Sequence, residues 1–230
     1  MMPTPHCGVG KDEPTGMLTA HHVDRKGPTD EWLIKRLVKD IEKLGRSVIN
    51  LKPDGEPAML ALQKAVAVLR KDPVTRPENP FAYNRQSNGA AEKAVQDVSG
   101  QVRTLKLALE ARLGIAIPET SAIMDRAIEH AAYLLSRCSI GHDGVTPYER
   151  LTGRKWVRSI VEIGETVLAK FALSKLGYGK RKAQKNKLGA RSIKCVLVGQ
   201  LSRTGEHIVA KPHGDAARCR AVFRVPLEDR

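Results

Sequence analysis

The sequence predicts a mixed α/β domain followed by a smaller all-β module, and three observations predict it. Between Gly16 and Trp156, short β-branched runs alternate with apolar patterns that repeat at helical spacing, the order that feeds strands and helices into one layered domain. After Trp156 the helical patterns stop, and short strand-like runs separated by turns or basic loops take over. A hydrophobic fraction of 41% in 230 residues is enough for one medium core, or for a core and a small appended domain.

Residues 1–15 are rich in Gly, Pro and charge and are expected to be disordered or poorly packed. GVGKD within them lacks the spacing of a phosphate loop and precedes no helical pattern. TGMLTAHHV then reads as a strand. Thr29 or Asp30 can cap the helix that follows, in which Trp32, Leu33, Leu37, Ile41 and Leu44 recur at helical spacing and Gly45 supplies the stop. SVINL is short and β-branched and delivers Asp54 near its C-terminal end. Strand, helix, strand in this order predicts a parallel pair with a right-handed crossover.

Residues 57–71 predict a second helix from the spacing of Leu60, Leu62, Val66 and Leu69, and the proline-rich DPVTRPENPFAY after it cannot be a regular helix. A longer helix opens at Glu92 and runs to about Leu113, with Val95, Val98, Val102, Leu105 and Leu109 expected on the buried stripe. At 100° per residue, Glu92, Gln96, Ser99, Arg103 and Lys106 fall in one row on the other face. Such a row is either a track for a phosphate backbone or an ordinary solvated face. Residues 119–137 predict another helix burying Ile123, Ala127, Ala131 and Leu134. His130, single and flanked by Ala, reads as a packed histidine. TPYERLTG predicts a last short helix with Thr146 as cap and Pro147 at its first position.

In the tail, GETVLAKF, IKCVLVGQ, EHIVAKP and CRAVFRV are four strand-like runs, which predict a small barrel or sheet over 157–230. Between the first two, Lys170 to Arg191 contains no acid but carries Lys175, Lys180, Arg181, Lys182, Lys185 and Lys187. A basic loop of this kind is a phosphate-binding arm, a nuclear-import signal or a simple solvated loop.

The formal charge is +14, and a long-range positive potential of that size attracts polyanions. Nucleic acid, DNA or RNA, is therefore the expected partner. Cys7, Cys138, Cys195 and Cys219 are far apart and form no C-x-x-C pair, so they support neither a zinc knuckle nor a disulfide framework. Cys138 is expected in a core. The N-terminus has no basic region followed by an apolar stretch, and no segment is apolar for long enough to cross a bilayer. A nuclear or cytoplasmic protein without a membrane partner is expected.

The chemistry-bearing stretch is NRQSNGAAEKAVQ, which places Glu92 in the first turn of a long helix behind a polar turn. LKPDGEP upstream places Asp54 after a short strand. Two carboxylates delivered from a strand end and a helix start are a pair that can hold Mg²⁺ or Mn²⁺ through oxygen ligands. LKPDGEP, YNRQSNGAAEKAVQ, HAAYLLSRC and GVTPYERLTGRKW, in this order, resemble the catalytic core of retroviral and copia-type retrotransposon integrases. The resemblance covers roughly Gly16 to Trp156 and, more loosely, the tail.

That resemblance implies a ribonuclease-H-like integrase core over 16–156, an incomplete mixed sheet with flanking helices. It also implies a small SH3-like module after the core, of the kind that touches DNA, and a homo-oligomer formed through the core. Asp54 matches the family's second metal-binding Asp and Glu92 its Glu, at a slightly longer interval than usual. Arg85, Gln86, Asn88, Lys93, Gln96, Arg103 and Lys106 would then lie along the nucleic acid, with Ser87 and Gly89 shaping the turn. Glu56 is expected to point elsewhere or pair with a Lys. The family's first Asp has no match, because Asp24 and Asp30 stand too close to Asp54 and Asp12 precedes what reads as a later strand. The expected function is nucleic-acid binding by a retrotransposon-derived integrase remnant, impaired in polynucleotidyl transfer. The alternative is a non-catalytic DNA- or RNA-binding protein, or a structural protein of a ribonucleoprotein.

Overall fold

The computed structural model describes residues 6–23, 25–71, 74–78, 89–171, 192–202 and 204–226. It is a mixed α/β chain that divides into two units, Met1–Val102 with Leu134–Trp156, and Arg103–Tyr133 with Val157–Arg230. The second unit thus takes in residues 103–133 as well as the β-rich tail, whereas the sequence assigns them to the core. The reason is local: Arg112 Nη1 donates to Ile163 O at 3.1 Å, and Gly164 packs against Leu109.

In the first unit, β1 (His6–Lys11) and β2 (Leu18–Val23) form an antiparallel hairpin in register from His6↔Val23 to Lys11↔Leu18. β1 corrects the expectation of a poorly packed N-terminus to residue 15. GVGK carries little strand propensity, and pairing to the apolar β2 supplies what composition does not. The turn between them is held by Asp12, whose Oδ2 accepts from Thr15 Oγ1 (2.5 Å) and Arg46 Nη2 (3.0 Å).

Helix α1 (Glu31–Glu42) begins at Asp30, whose Oδ1 accepts from Trp32 N at 2.8 Å. Gly45, at φ +66°, turns the chain after the helix, a conformation cheap only for glycine. Leu33 and Val38 are buried, but Trp32 is 54% exposed, its ring meeting His21 edge-on. Leu33 and Val38 pack with Val23, with Leu62 and Val66 of α2 (Pro57–Leu69), and with Leu51 of β3 (Val48–Leu51).

The parallel pair is not the one expected. β3 pairs through α2 with β4 (Val74–Pro77), in register from Val48↔Val74, while β2, among the described residues, pairs only with β1. Buried Gln63 of α2 donates from Nε2 to Leu51 O (2.6 Å) and Glu78 O (3.2 Å), satisfying carbonyls where both strands end.

α3 (Gly89–Leu113) starts three residues before Glu92. Its buried stripe begins at Ala94, followed by Val98 and Leu109, and Val95 is 42% exposed. α4 (Ala122–Cys138) starts after Glu119 and is buried over most of its girth, at Met124, Ala127, Ile128, His130, Ala131, Ala132, Tyr133, Ser136 and Arg137. Ile123 and Leu134, expected in its core, are only partly buried. Cys138, at the helix end, is exposed rather than in a core. In the first unit, the Arg137 guanidinium lies 5.1 Å from the Tyr148 ring and 4.9 Å from the Trp156 ring. It holds the end of α4 to α5 (Pro147–Thr152), which Thr146 caps by accepting from Glu149 N (3.2 Å).

The second unit is built on a five-stranded antiparallel sheet, in order β8-β7-β6-β5-β9. Its strands are β5 (Thr166–Lys170), β6 (Ser192–Gln200), β7 (His207–Ala210), β8 (Ala216–Cys219) and β9 (Ala221–Arg224). CRAVFRV, read as one strand, is therefore parts of two, broken at Arg220. Those two lie on opposite edges of the sheet. A single residue spans at most about 7.6 Å between Cys219 and Ala221, whereas four strand spacings in a flat sheet would need about 19 Å. The sheet must therefore roll until its edges nearly meet. Val167, Ala169, Cys195, Leu197, Val209 and Cys219 fill the inside of the roll with Val161 and Phe171.

Gly164, before β5, has φ +80°, and a Cβ there would lie 2.1 Å from Leu109 Cδ1. Gly164→Ala is expected to destabilise the protein by about 2 kcal/mol through left-handed backbone strain and displacement of Leu109. Urea unfolding measures this, and adding Leu109→Ala should leave the strain term in place while removing the clash.

Candidate nucleic-acid interface

Asp54 lies in the bend between β3 and α2 and is exposed. Its neighbour Glu56 accepts from Lys26 Nζ at 2.6 Å, the Lys pairing expected of it. That hydrogen bond and the Glu56 charge raise the pKa of Lys26, with a smaller contribution from Asp54. Asp54 therefore sits beside a cation already engaged by another carboxylate.

Glu92 is exposed in the first turn of α3, where a negative charge complements the unpaired N–H groups of the helix start. Among the described residues, no three His, Cys, Asp or Glu side chains gather where they could hold a metal ion. Mg²⁺ needs near-octahedral oxygen ligation, commonly from two or more carboxylates and the substrate's own oxygens. The described donors do not make up such a centre.

Along α3, Lys93 pairs with Asp97 at 2.9 Å in the first unit, and Gln96 is exposed. In the second unit Arg103 is exposed and Lys106 pairs with Glu110 at 3.7 Å. Both pairs run from Lys to an acid four residues on, the weaker orientation; the first is exposed and the second half-buried, and helix pairs of this kind are worth only a few tenths of a kcal/mol. They leave both ammonium groups within reach of phosphate at small cost. Arg85, Gln86 and Asn88, like Lys180, Arg181, Lys182, Lys185 and Lys187, lie outside the described residues.

His130 is 1% exposed and stacked on Tyr133, with centroids 5.9 Å apart and planes 7° from parallel, a packed position in the second unit. Two buried polar groups escaped the sequence reading. His21 Nε2 lies 2.5 Å from Asp40 Oδ2, and Lys43 donates to Asp40 Oδ1. Arg224 Nε and Nη2 donate to Glu165 Oε1 and Oε2, each at 2.7 Å, and Glu165 is 1% exposed. Lys43 lies three residues from Asp40, at helical spacing, but His21 stands 19 residues from Asp40 and Glu165 stands 59 from Arg224, so no spacing rule finds those two pairs.

A third feature was also missed, and it is cationic. The five strands of the second unit contain no Asp or Glu, but they carry Lys170, Lys194, Arg218 and Arg224. The alternation in IKCVLV, with Lys194 and Val196 exposed and Cys195 and Leu197 buried, is the signal that places Lys194 outside.

No protein-family model and no curated protein sequence matches the chain. Among solved structures, it is similar to a chain of the simian T-cell lymphotropic virus intasome, determined by cryo-EM in complex with PP2A regulatory subunit B56 gamma. The identity is 20% and the TM-score 0.46, over 96% of this chain and 72% of that one. It is also similar to the catalytic core domain of BIV integrase in a crystal structure, at 21% identity and TM-score 0.41, over 64% of this chain and 85% of that one. Both identities and both superpositions are low, so neither likeness decides what this chain does.

Proposed function

We propose that this chain is a nucleic-acid-binding protein of retrotransposon integrase descent, impaired in polynucleotidyl transfer. The observation that carries the reading is a formal charge of +14 combined with a rolled sheet whose strands bear cations and no acid. Descent rests on the four sequence motifs that occur in integrase order between Leu51 and Trp156. The strand order β8-β7-β6-β5-β9, rolled on itself, supports an SH3-like identity for the C-terminal module.

DNA is the partner. Mg²⁺ or Mn²⁺ binding at Asp54 and Glu92 is weak or absent, because two exposed acids with no third beside them among the described residues give a hard cation too few fixed oxygens. No chemical step is assigned to them.

The test is binding to labelled duplex DNA across a salt series, together with a nicking and strand-transfer assay in Mn²⁺. Affinity is expected to fall steeply with salt as counterions are released. The pair Asp54→Asn and Glu92→Gln is expected to leave binding unchanged. Nicking by the wild type that disappears in Glu92→Gln would mean that a third ligand completes the site and that the protein is a working enzyme.

A further inference from the structure

The geometry points to the outward face of the sheet in the second unit as a platform for single-stranded DNA, with Phe223 stacking an unpaired base and Lys170 and Lys194 meeting the backbone. The inference rests on the nucleic-acid reading above and narrows its substrate.

Registration defines the face. On β5, Val167 and Ala169 point into the core, so Thr166, Leu168 and Lys170 point out. Leu168 stands opposite Lys194 of β6 and opposite Phe223 of β9. One row across the sheet is therefore Lys194, Leu168, Phe223. Two strand spacings, about 10 Å, separate its ends. The next row places Lys170 between Ser192 and Ala221. The row on the other side runs Thr166, Val196, Ala210, Ala216.

Phe223 is 53% exposed, and the side chains of the flanking rows are small or aliphatic apart from the lysine. Half of this large ring's surface stays in water above a low apolar floor, a hydrophobic exposure that the sheet does not remove. Its planar face is available to any base, since stacking needs no particular hydrogen-bond pattern. Lys170 and Lys194 are exposed and form no ion pair among the described residues. Lys194 ends the row that holds Leu168 and Phe223, and Lys170 stands in the next row, on the same strand as Leu168. With no acid on any strand, a polyanion can cross the face without meeting a like charge.

A duplex buries its base faces in its own stack, so the ring would offer it nothing beyond contact with sugars. Around Phe223 the nearest outward neighbours, Leu168 and Ala221, are aliphatic and offer no group to a ribose 2′-hydroxyl. Deoxyribose suits that floor better, which favours DNA over RNA.

The experiment compares fluorescently labelled oligothymidylate, oligouridylate and a duplex of equal length, using the whole chain and its Phe223→Ala, Phe223→Trp and Lys194→Ala variants. Phe223→Ala is expected to weaken oligothymidylate binding about tenfold, with duplex affinity and salt slope unchanged. Phe223→Trp should restore the affinity. Lys194→Ala should lower the salt slope for oligothymidylate by about 0.7. An unchanged affinity in Phe223→Ala, an equal loss for duplex, or tighter binding of oligouridylate than of oligothymidylate would overturn the platform while leaving nucleic-acid binding intact. Failure of the wild type to bind any of the three would overturn the broader reading as well. Because Phe223 is exposed, its variants are expected to melt with the wild type, and thermal unfolding checks this.

Discussion

Replacing Asp40 with asparagine is expected to cost about 3 kcal/mol of stability at neutral pH, and the cost should shrink as the solution is acidified. Asp40 is 4% exposed and is met by His21 from β2, by Lys43 just past α1 and, at 3.9 Å, by Arg36 of α1. Burial alone pushes its carboxyl pKa up. The hydrogen bond from His21 and the charge of Lys43 outweigh that and hold the pKa below the ordinary value.

A carboxyl whose pKa is depressed by folding contributes stability that is fully present above its unfolded pKa. That contribution is lost as pH falls through the folded value. The gap between wild type and Asp40→Asn should therefore be constant near neutrality and narrow below about pH 4. Urea unfolding of both proteins over a pH series measures it, and a gap that does not change with acid would show that the charge on Asp40 is not what holds β2 to α1.

The second large effect lies in the rolled sheet. Arg224→Ala is expected to cost about 2–3 kcal/mol, somewhat below the usual figure for breaking a buried pair because Arg224 keeps partial contact with water. What remains is the Glu165 carboxylate, 1% exposed, with Glu162 N donating to it at 3.3 Å. The pair links the turn before β5 to the end of β9, so its loss loosens the edge where β9 returns. Changing both residues to methionine should recover most of the loss, since a buried apolar pair carries no unpaired charge. If the double variant is less stable than Arg224→Ala, the ion pair contributes net stability and is not merely tolerated.

These two clusters are also the part of the molecule that the sequence hid. Asp30 and Thr146 could be read as helix caps because a cap acts within three residues. Glu56 could be assigned a lysine partner because an exposed acid in a basic chain finds one. The pairing of β3 with β4 rather than β2 depends on contacts across the fold, and no local pattern distinguishes the two outcomes. On α3 the expected Val98 and Leu109 are buried and Val102 and Leu105 partly so, whereas Ala94 turns inward in place of Val95, a difference of one position that apolar counting cannot detect. Arg220 breaks CRAVFRV without glycine or proline, so the division into two strands left no mark.

For the candidate site, the segments that deliver Asp54 and Glu92 were legible as a strand end and a helix start. Whether further acids join them depends on tertiary placement. The outward cation of β6, Lys194, was available in the alternation of IKCVLV, but its place beside Leu168 and Phe223 only after the strand partners were known.

The return of β9 to the far edge of β5 also governs how the module must assemble. Of the five strands, β5 leaves the ribosome first and β9 last, so one edge of β5 stays open while β6, β7 and β8 add to the other. An open edge with alternating apolar side chains is a template for any other chain in the same state. Every nascent copy therefore passes through a period in which its own final strand competes with its neighbours for the same backbone groups. Yield in concentrated expression should be limited by that competition more than by the stability of the finished roll.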